Sequence, residues 1–108
     1  MEYENYNGWT NRETWAVKLH LDNTEGWQKH VYNLAEEILE TKEVLELDND
    51  SLNSMLAEQI EEFVTELKEQ AFEQPTPSSE ELMVRDVGSF WRVDYLEIAR
   101  AFFEEVKN

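Results

Sequence analysis

The sequence predicts an all-α fold, a compact bundle of four to five helices in a single acidic domain spanning residues 1–108. Three observations lead to this prediction. A chain of 108 residues suits one hydrophobic core. Apolar residues recur at helical spacing in several segments. With 3 glycines and 2 prolines, the chain offers few of the tight turns that an all-β fold needs.

The first helix is predicted to begin at a capping box formed by Thr10 and Glu13. In that motif the hydroxyl accepts from the backbone N–H three residues on, and the carboxylate reaches back to the N–H of the capping residue. Residues 22–24 would end this helix, since they offer side-chain oxygens that can cap the next one. The apolar positions of the first helix are Trp15, Ala16, Leu19 and Leu21.

The second and third helices carry the clearest apolar stripes. Residues 48–51 supply capping side chains for the third, longer helix, which should stop before the prolines at 75 and 77. The stripe of the second helix is Trp27, Val31, Leu34, Ala35, Ile38 and Leu39. The stripe of the third is Leu52, Met55, Leu56, Ile60, Phe63, Val64, Leu67 and Ala71.

A loop is predicted at residues 75–79, before two further helices. Ser78 or Ser79 can cap a brief helix that Gly88 ends. Asp94 and Glu97 have the spacing of a capping box for the last helix. Its buried face would be Tyr95, Ile98, Ala99, Phe102, Phe103 and Val106.

The charge excludes several kinds of partner. The chain has 25 acidic and 9 basic residues, a formal net charge of −16, whereas designed soluble domains of this size usually carry roughly 2–8 charges. Nucleic acids and anionic membranes both attract basic patches and repel acidic ones. We therefore expect no direct nucleic-acid partner and no membrane partner. The acidic N-terminus has no apolar run typical of a signal peptide, so we expect a location in the cytoplasm.

The sequence contains no motif for catalysis or metal binding. Cysteine is absent, which removes thiol chemistry. Residues 48–50 begin like a calcium loop, but Asn53 stands at its glycine position and Gln59 at its last ligand. Carboxylate pairs such as Glu58 and Glu62 repeat along a polar face, whereas acid–base catalysis needs unequal environments. We predict that the protein is not an enzyme and needs no metal or cofactor.

The acidic residues concentrate on the second and third helices. Residues 25–74 hold −11 of the −16 charges. In the third helix, six glutamates span about 22 Å at a rise of ~1.5 Å per residue. That spacing, one carboxylate per ~4 Å, is close to the ~3.4 Å between phosphates of a B-DNA strand. Like charges four residues apart destabilise a helix, so their retention favours a specific use for the charge. Solubility or an acid-rich proteome is the simpler alternative explanation.

The beginning of the chain is rich in aromatic residues. Trp15 is most simply a core residue. Tyr3, Tyr6 and Trp9 can either pack onto the domain or stand exposed beside carboxylates, where they would make a good protein-binding hot spot.

Three segments also resemble a known kind of protein. Residues 6–15 (YNGWTNRETW) and 19–23 (LHLDN) resemble the start of small acidic proteins encoded by phages and mobile elements, whose N-terminal motif is NGWTNxETW. Residues 93–99 (VDYLEIA) look like their usual ending. The family is uncharacterised, so the resemblance implies a mobile-element setting and no catalytic residues. Small acidic proteins in that setting are often similar in character to DNA-mimic antirestriction and anti-CRISPR inhibitors.

Two functional hypotheses follow. In the first, an acidic face occupies the basic groove of a host nucleic-acid-binding protein in the bacterial cytosol, such as a restriction or CRISPR component. In the second, the protein is a binding or scaffold module that uses the aromatic surface of Tyr3, Tyr6 and Trp9, and the charge serves solubility. The residues predicted for the acidic face are Glu36, Glu37, Glu40, Glu58, Glu61, Glu62, Glu66, Glu69 and Glu73.

Overall fold

The computed structural model describes residues 6–73 and 78–107, and within them the chain is helical with no strand. The prediction of an all-α helical bundle is confirmed. The elements are α1 (Arg12–Asn23), α2 (Trp27–Leu45), α3 (Asn49–Gln70), α4 (Ser79–Val87), a single 3₁₀ turn η1 (Phe90–Arg92) and α5 (Tyr95–Lys107).

The central element is α3, which packs against α2, α4 and α5. Three residues join α2 to α3, so the two helices form an antiparallel hairpin. The ring of Trp27 at the start of α2 accordingly contacts that of Phe63 near the end of α3, at 6.5 Å between centroids. The residues of the predicted α2 and α3 stripes lie in the core or pack against it, and Ala57, which was not predicted, is buried with them. The α3 members of the core are Leu52, Leu56, Ala57, Ile60, Val64 and Leu67.

The bundle is flat, measuring 44 × 38 × 22 Å. One side of α3 faces the other helices, where Leu56, Ile60 and Val64 are fully buried. Its opposite side is exposed to solvent.

The predicted start of α1 is wrong by one residue. Asn11, not Thr10, is the N-cap, because its Oδ1 accepts from the backbone N–H of Thr14 at 2.8 Å and from the Thr14 hydroxyl at 2.7 Å. The N–H of Thr10 instead donates to the carboxylate of Glu97, at 3.1 and 3.3 Å. Glu97 lies on α5, so the prediction failed because the partner is remote in sequence.

Side chains at the start of α1 also form hydrogen bonds with the backbone that leads into α5. Asp94 accepts from the N–H of Glu97 at 3.2 Å, which confirms half of the predicted capping box. In a complete capping box the N–H of Asp94 would donate to the Glu97 carboxylate. Here it donates to the Thr14 hydroxyl at 2.9 Å. The side-chain amide of Asn11 donates to the carbonyl of Arg92 at 2.8 Å. We call this group the clasp; its residues are Thr10, Asn11, Thr14, Arg92, Asp94 and Glu97.

A tight turn precedes α1. Tyr6 and Trp9 exchange two backbone hydrogen bonds of 2.7 and 2.8 Å. The two residues between them, Asn7 and Gly8, have φ angles of 51° and 89°, as an Asn-Gly pair does in a type I′ turn. The turn brings the Tyr6 ring to 4.9 Å from that of Trp15. The Asn-Gly dipeptide is the sequence signal for this turn.

Smaller corrections concern α1 and α4. Leu19, predicted to face the core, is 36% exposed, while Val17 and Lys18 are buried. Ser78 caps α4 by accepting from the N–H of Glu81 at 3.1 Å. Ser79 therefore belongs to α4 and not to the predicted loop, whose residues 75–77 lie outside the described part of the chain.

The clasp predicts a specific loss of stability in Asn11→Ala. This variant loses the α1 cap and the part-buried hydrogen bond from the Asn11 amide to the Arg92 carbonyl, so the free energy of unfolding should fall by about 2 kcal/mol. Urea denaturation followed by circular dichroism measures it. Asn33→Ala, at an exposed position of α2, is the matched control and should change the free energy of unfolding by less than about 0.5 kcal/mol. Equal stabilities of the two variants would contradict the role of the clasp.

Candidate functional site

The predicted glutamates of the third helix lie on its solvent side. All six are exposed, since they fall on the side of α3 opposite Leu56, Ile60 and Val64. Five lie within the helix, and Glu73 lies in the turn that follows it. No ion pair or hydrogen bond between described residues involves any of their carboxylates. We call these residues the acidic ridge: Glu58, Glu61, Glu62, Glu66, Glu69 and Glu73.

A groove between α2 and α3 runs along one side of the acidic ridge. It encloses about 450 Å³. His30 and Leu34 line it from α2, and Met55 and Phe63 line it from α3. The rings of His30 and Phe63 lie 4.4 Å apart. Three ridge carboxylates border this groove: Glu58, Glu62 and Glu66.

A second groove lies on the other side of the ridge, between α3 and the segment from η1 to the start of α5. It encloses about 680 Å³ and is bordered by Glu58 and Glu61. We call it the α3–η1 groove. Burial, assisted by the negative charge of Glu61, raises the pKa of Tyr95 in its wall. The charge of the ridge thus acts on groups inside the groove.

The three predicted glutamates of α2 are exposed but do not all border the ridge. Glu37 follows Leu34 by three residues, so it shares the side of α2 that lines the α2–α3 groove. Glu36 and Glu40 follow Tyr32 by four and eight residues, so they share its side. Tyr32 faces α5, where its ring lies 5.8 Å from that of Phe102. The nine predicted glutamates therefore do not form one continuous face.

One cation that could have neutralised the surface is instead buried in the fold. Lys18 is 5% exposed. Its ammonium donates to Asp22 at 2.6 Å and to Glu105 at 2.8 Å, and lies 4.5 Å from the centre of the Phe102 ring. The Tyr32 hydroxyl also donates to Glu105, at 2.8 Å. That hydrogen bond is the main reason that the pKa of Tyr32 is raised to about 12.

Other basic side chains pair on the side of the bundle formed by α1 and α4. Arg12 donates to the Asp86 carboxylate and, at 2.6 Å, to its backbone carbonyl, and His20 Nε2 lies 2.9 Å from the same carboxylate. Burial acts to raise the pKa of Asp86, but the hydrogen bonds from His20 and Arg12 outweigh it and hold the pKa below its ordinary value. Arg85 pairs with Glu81 at 2.7 Å. These ion pairs use acids outside the nine predicted glutamates.

The predicted aromatic surface is largely engaged within the fold. Tyr6 packs against Trp15 and is 39% exposed, and Trp9 is half-buried against the core. Tyr3 lies outside the described residues. The most exposed aromatic side chain among the described residues is Trp91 in η1, at 85%. Trp91 was not predicted as a site residue. Its position outside every predicted apolar stripe is the sequence signal that could have identified it as exposed.

A comparison with family models matches residues 2–86 to a family of unknown function, DUF7249. The chain belongs to this family. The matched range contains all nine predicted glutamates and ends before η1 and α5. Searches of curated proteins and of solved structures found no significant match.

Two further findings concern the described part of this DUF7249 member. Within residues 6–73 and 78–107, no three histidine or carboxylate side chains are arranged to hold a metal ion. No helix in those ranges has both the length and the apolar character needed to cross a membrane.

The exposed ridge predicts that this DUF7249 protein becomes more stable when ridge charge is removed. The variant Glu62→Gln, Glu66→Gln, Glu69→Gln relieves repulsion between neighbours three and four residues apart, so its free energy of unfolding should rise by about 1 kcal/mol at low salt. The gain should shrink in about 0.5 M salt, where these charges are screened. Urea denaturation at both salt concentrations measures it.

The control for this variant is Glu97→Gln, which removes a charge that the clasp uses. Its free energy of unfolding should fall, because a neutral amide is a weaker acceptor for the Thr10 N–H than a carboxylate. A ridge variant that is also destabilised would contradict the view that the ridge contributes nothing to folding.

Proposed function

We propose that this protein is a DNA-mimic-like inhibitor or decoy, and that it binds a basic nucleic-acid-binding protein of the bacterial host, such as a restriction or CRISPR component. In this proposal the acidic ridge occupies the groove where the host protein would bind nucleic acid. The protein acts in the host cytosol by binding and carries out no reaction of its own.

The observation that carries the proposal is the unneutralised row of carboxylates on α3. Glu58 to Glu69 cover about 17 Å of helix axis with five exposed charges. This is one charge per ~4 Å, and a groove shaped for phosphates ~3.4 Å apart along a strand can pair its arginines and lysines with such a row. The side chains stand on a rigid helix, which keeps their spacing before the partner arrives.

The positions of the basic side chains support the same proposal. Lys18 and Arg12 are held by acids on α1, α4 and α5, so they leave the potential of the ridge negative. A row of unpaired carboxylates steers a basic partner toward the ridge and speeds association, in a manner that salt weakens. The resemblance of residues 6–15 to phage and mobile-element proteins supports a setting in which host defence proteins are the targets.

Binding through the N-terminal aromatic surface remains the alternative. Tyr6 and Trp9 have less area available to a partner than the ridge, because they pack against Trp15 and the core. The two hypotheses differ in their response to salt, since an aromatic contact is far less sensitive to ionic strength than a row of charges.

The proposal is tested with two variants of equal net charge. Glu62→Lys, Glu66→Lys, Glu69→Lys reverses the ridge, and Glu25→Lys, Glu43→Lys, Glu104→Lys reverses three exposed glutamates elsewhere. Each immobilised protein captures binding proteins from a bacterial lysate at low salt. The captured protein is purified, and its displacement from labelled DNA is then measured.

Wild type and the second variant should displace the DNA, and the ridge variant should be weaker by about tenfold or more. Raising the salt from about 50 to 500 mM should weaken displacement by the wild type. Equal loss in both variants would show that only total charge matters, and no loss in the ridge variant would exclude the ridge as the binding surface.

A further inference from the structure

Trp91 is the most exposed large hydrophobic residue in the described part of the chain, at 85%. Tryptophan is highly buried on average in folded proteins, and it is enriched among residues that dominate binding energy at interfaces. The exposed ring therefore requires an explanation that the acidic ridge does not supply.

The backbone that carries Trp91 is held in place on both sides. Phe90, which precedes it, packs against the core and has the Lys68 ammonium 4.5 Å from its ring centre. The turn closes through a hydrogen bond of 3.0 Å from the N–H of Val93 to the carbonyl of Phe90. The clasp fixes the carbonyl of Arg92 through Asn11. A side chain on an ordered backbone loses little conformational entropy when it binds, which favours tight contact.

The surface next to Trp91 is the α3–η1 groove, which combines apolar and acidic sides. Val93, Tyr95 and Leu96 contribute apolar surface, and Leu96 is itself 39% exposed. Glu58 and Glu61 border the groove from the ridge. A ligand in this groove meets the exposed ring of Trp91, apolar side chains and three carboxylates, since Asp94 also lines it. Among the described residues, Arg92 is the one basic residue of the lining and lies 5.9 Å from the centre of the Trp91 ring, so the lining keeps a net negative charge.

We propose that the α3–η1 groove docks a segment of the partner protein in which arginine or lysine flanks a large apolar side chain. The apolar side chain packs against Trp91 and Leu96, and the cations pair with Glu58 and Glu61. Charge complementarity between these carboxylates and the cations selects a basic segment. This inference rests on the proposed function and assigns its contacts: the ridge attracts the partner over a distance, and Trp91 anchors it.

The two contributions respond differently to salt. Attraction by the ridge weakens as ionic strength rises, whereas burial of apolar surface against Trp91 does not. Trp91→Ala should therefore lower affinity by a similar factor at every salt concentration. Reversal of the ridge charges should lower it mainly at low salt.

The test uses two short fluorescein-labelled peptides with the same arginines, separated by leucine in one and by serine in the other. Fluorescence anisotropy gives their affinities. Wild type should bind the leucine peptide about tenfold more tightly than the serine peptide, and Trp91→Ala should reduce that ratio to near one without changing the affinity for the serine peptide. Phe72→Ala, at a residue that is 67% exposed outside the groove, is the matched control and should leave both affinities unchanged.

A ratio that survives in Trp91→Ala overturns the proposal, as does failure of wild type to bind either peptide at low salt. Two other outcomes would assign the ring to another occupant and would also overturn the proposal. They are binding of a single-stranded oligothymidine, or self-association of the chain, that depends on Trp91 while peptide binding does not. Circular dichroism and urea denaturation check that Trp91→Ala is folded. If the ridge variant loses the captured host protein but Trp91→Ala keeps it, the proposed function stands and this inference fails.

Discussion

Asn11 and Thr14 on the first turn of α1 satisfy backbone groups of the segment that enters α5, and Glu97 on α5 accepts from the backbone of Thr10. These hydrogen bonds join parts of the chain 80 to 87 residues apart. The bonds of Asn11 to Arg92 and of Asp94 to Thr14 are partly shielded from water, so breaking them leaves polar groups poorly satisfied, which costs more than an ordinary hydrogen bond contributes. Because the same bonds position η1 and the start of α5 beside α3, the α3–η1 groove and the exposed ring of Trp91 both depend on the clasp.

Charge in this protein has two separate uses. Acids on α1, α4 and α5 hold Lys18, Arg12 and Arg85 in ion pairs that join helices or stabilise a helix from within. The acids of the ridge have no such partners among the described residues and repel one another along α3. A binding surface under functional constraint is expected to keep such unfavourable charges on an exposed side of a helix, at some cost in stability.

Much of the fold follows from the sequence because amphipathic periodicity is local information. The stripes of α2 and α3 specified the core, and they also placed the glutamates of α3 on the outside. Features that depend on remote partners could not be predicted from the sequence. The residues that cap α1 also bond to Arg92 and Asp94, and the burial of Lys18 requires Glu105. Glu36 and Glu40 were grouped with the ridge because the sequence does not say how α2 is rotated relative to α3. Trp91 was missed because a short 3₁₀ turn has no periodicity to mark it.

The central claim is that the ridge of α3 contacts the basic groove of a host protein. Carbodiimide cross-linking tests it most directly, since this reagent joins carboxylates to lysines in contact without a spacer. In a bacterial lysate at low salt, mass spectrometry should find cross-links from Glu58, Glu62 and Glu66 to lysines in the nucleic-acid-binding groove of one host protein, and added DNA should suppress them. Cross-links confined to carboxylates of α1 and α4, or ridge cross-links that DNA does not suppress, would contradict the account.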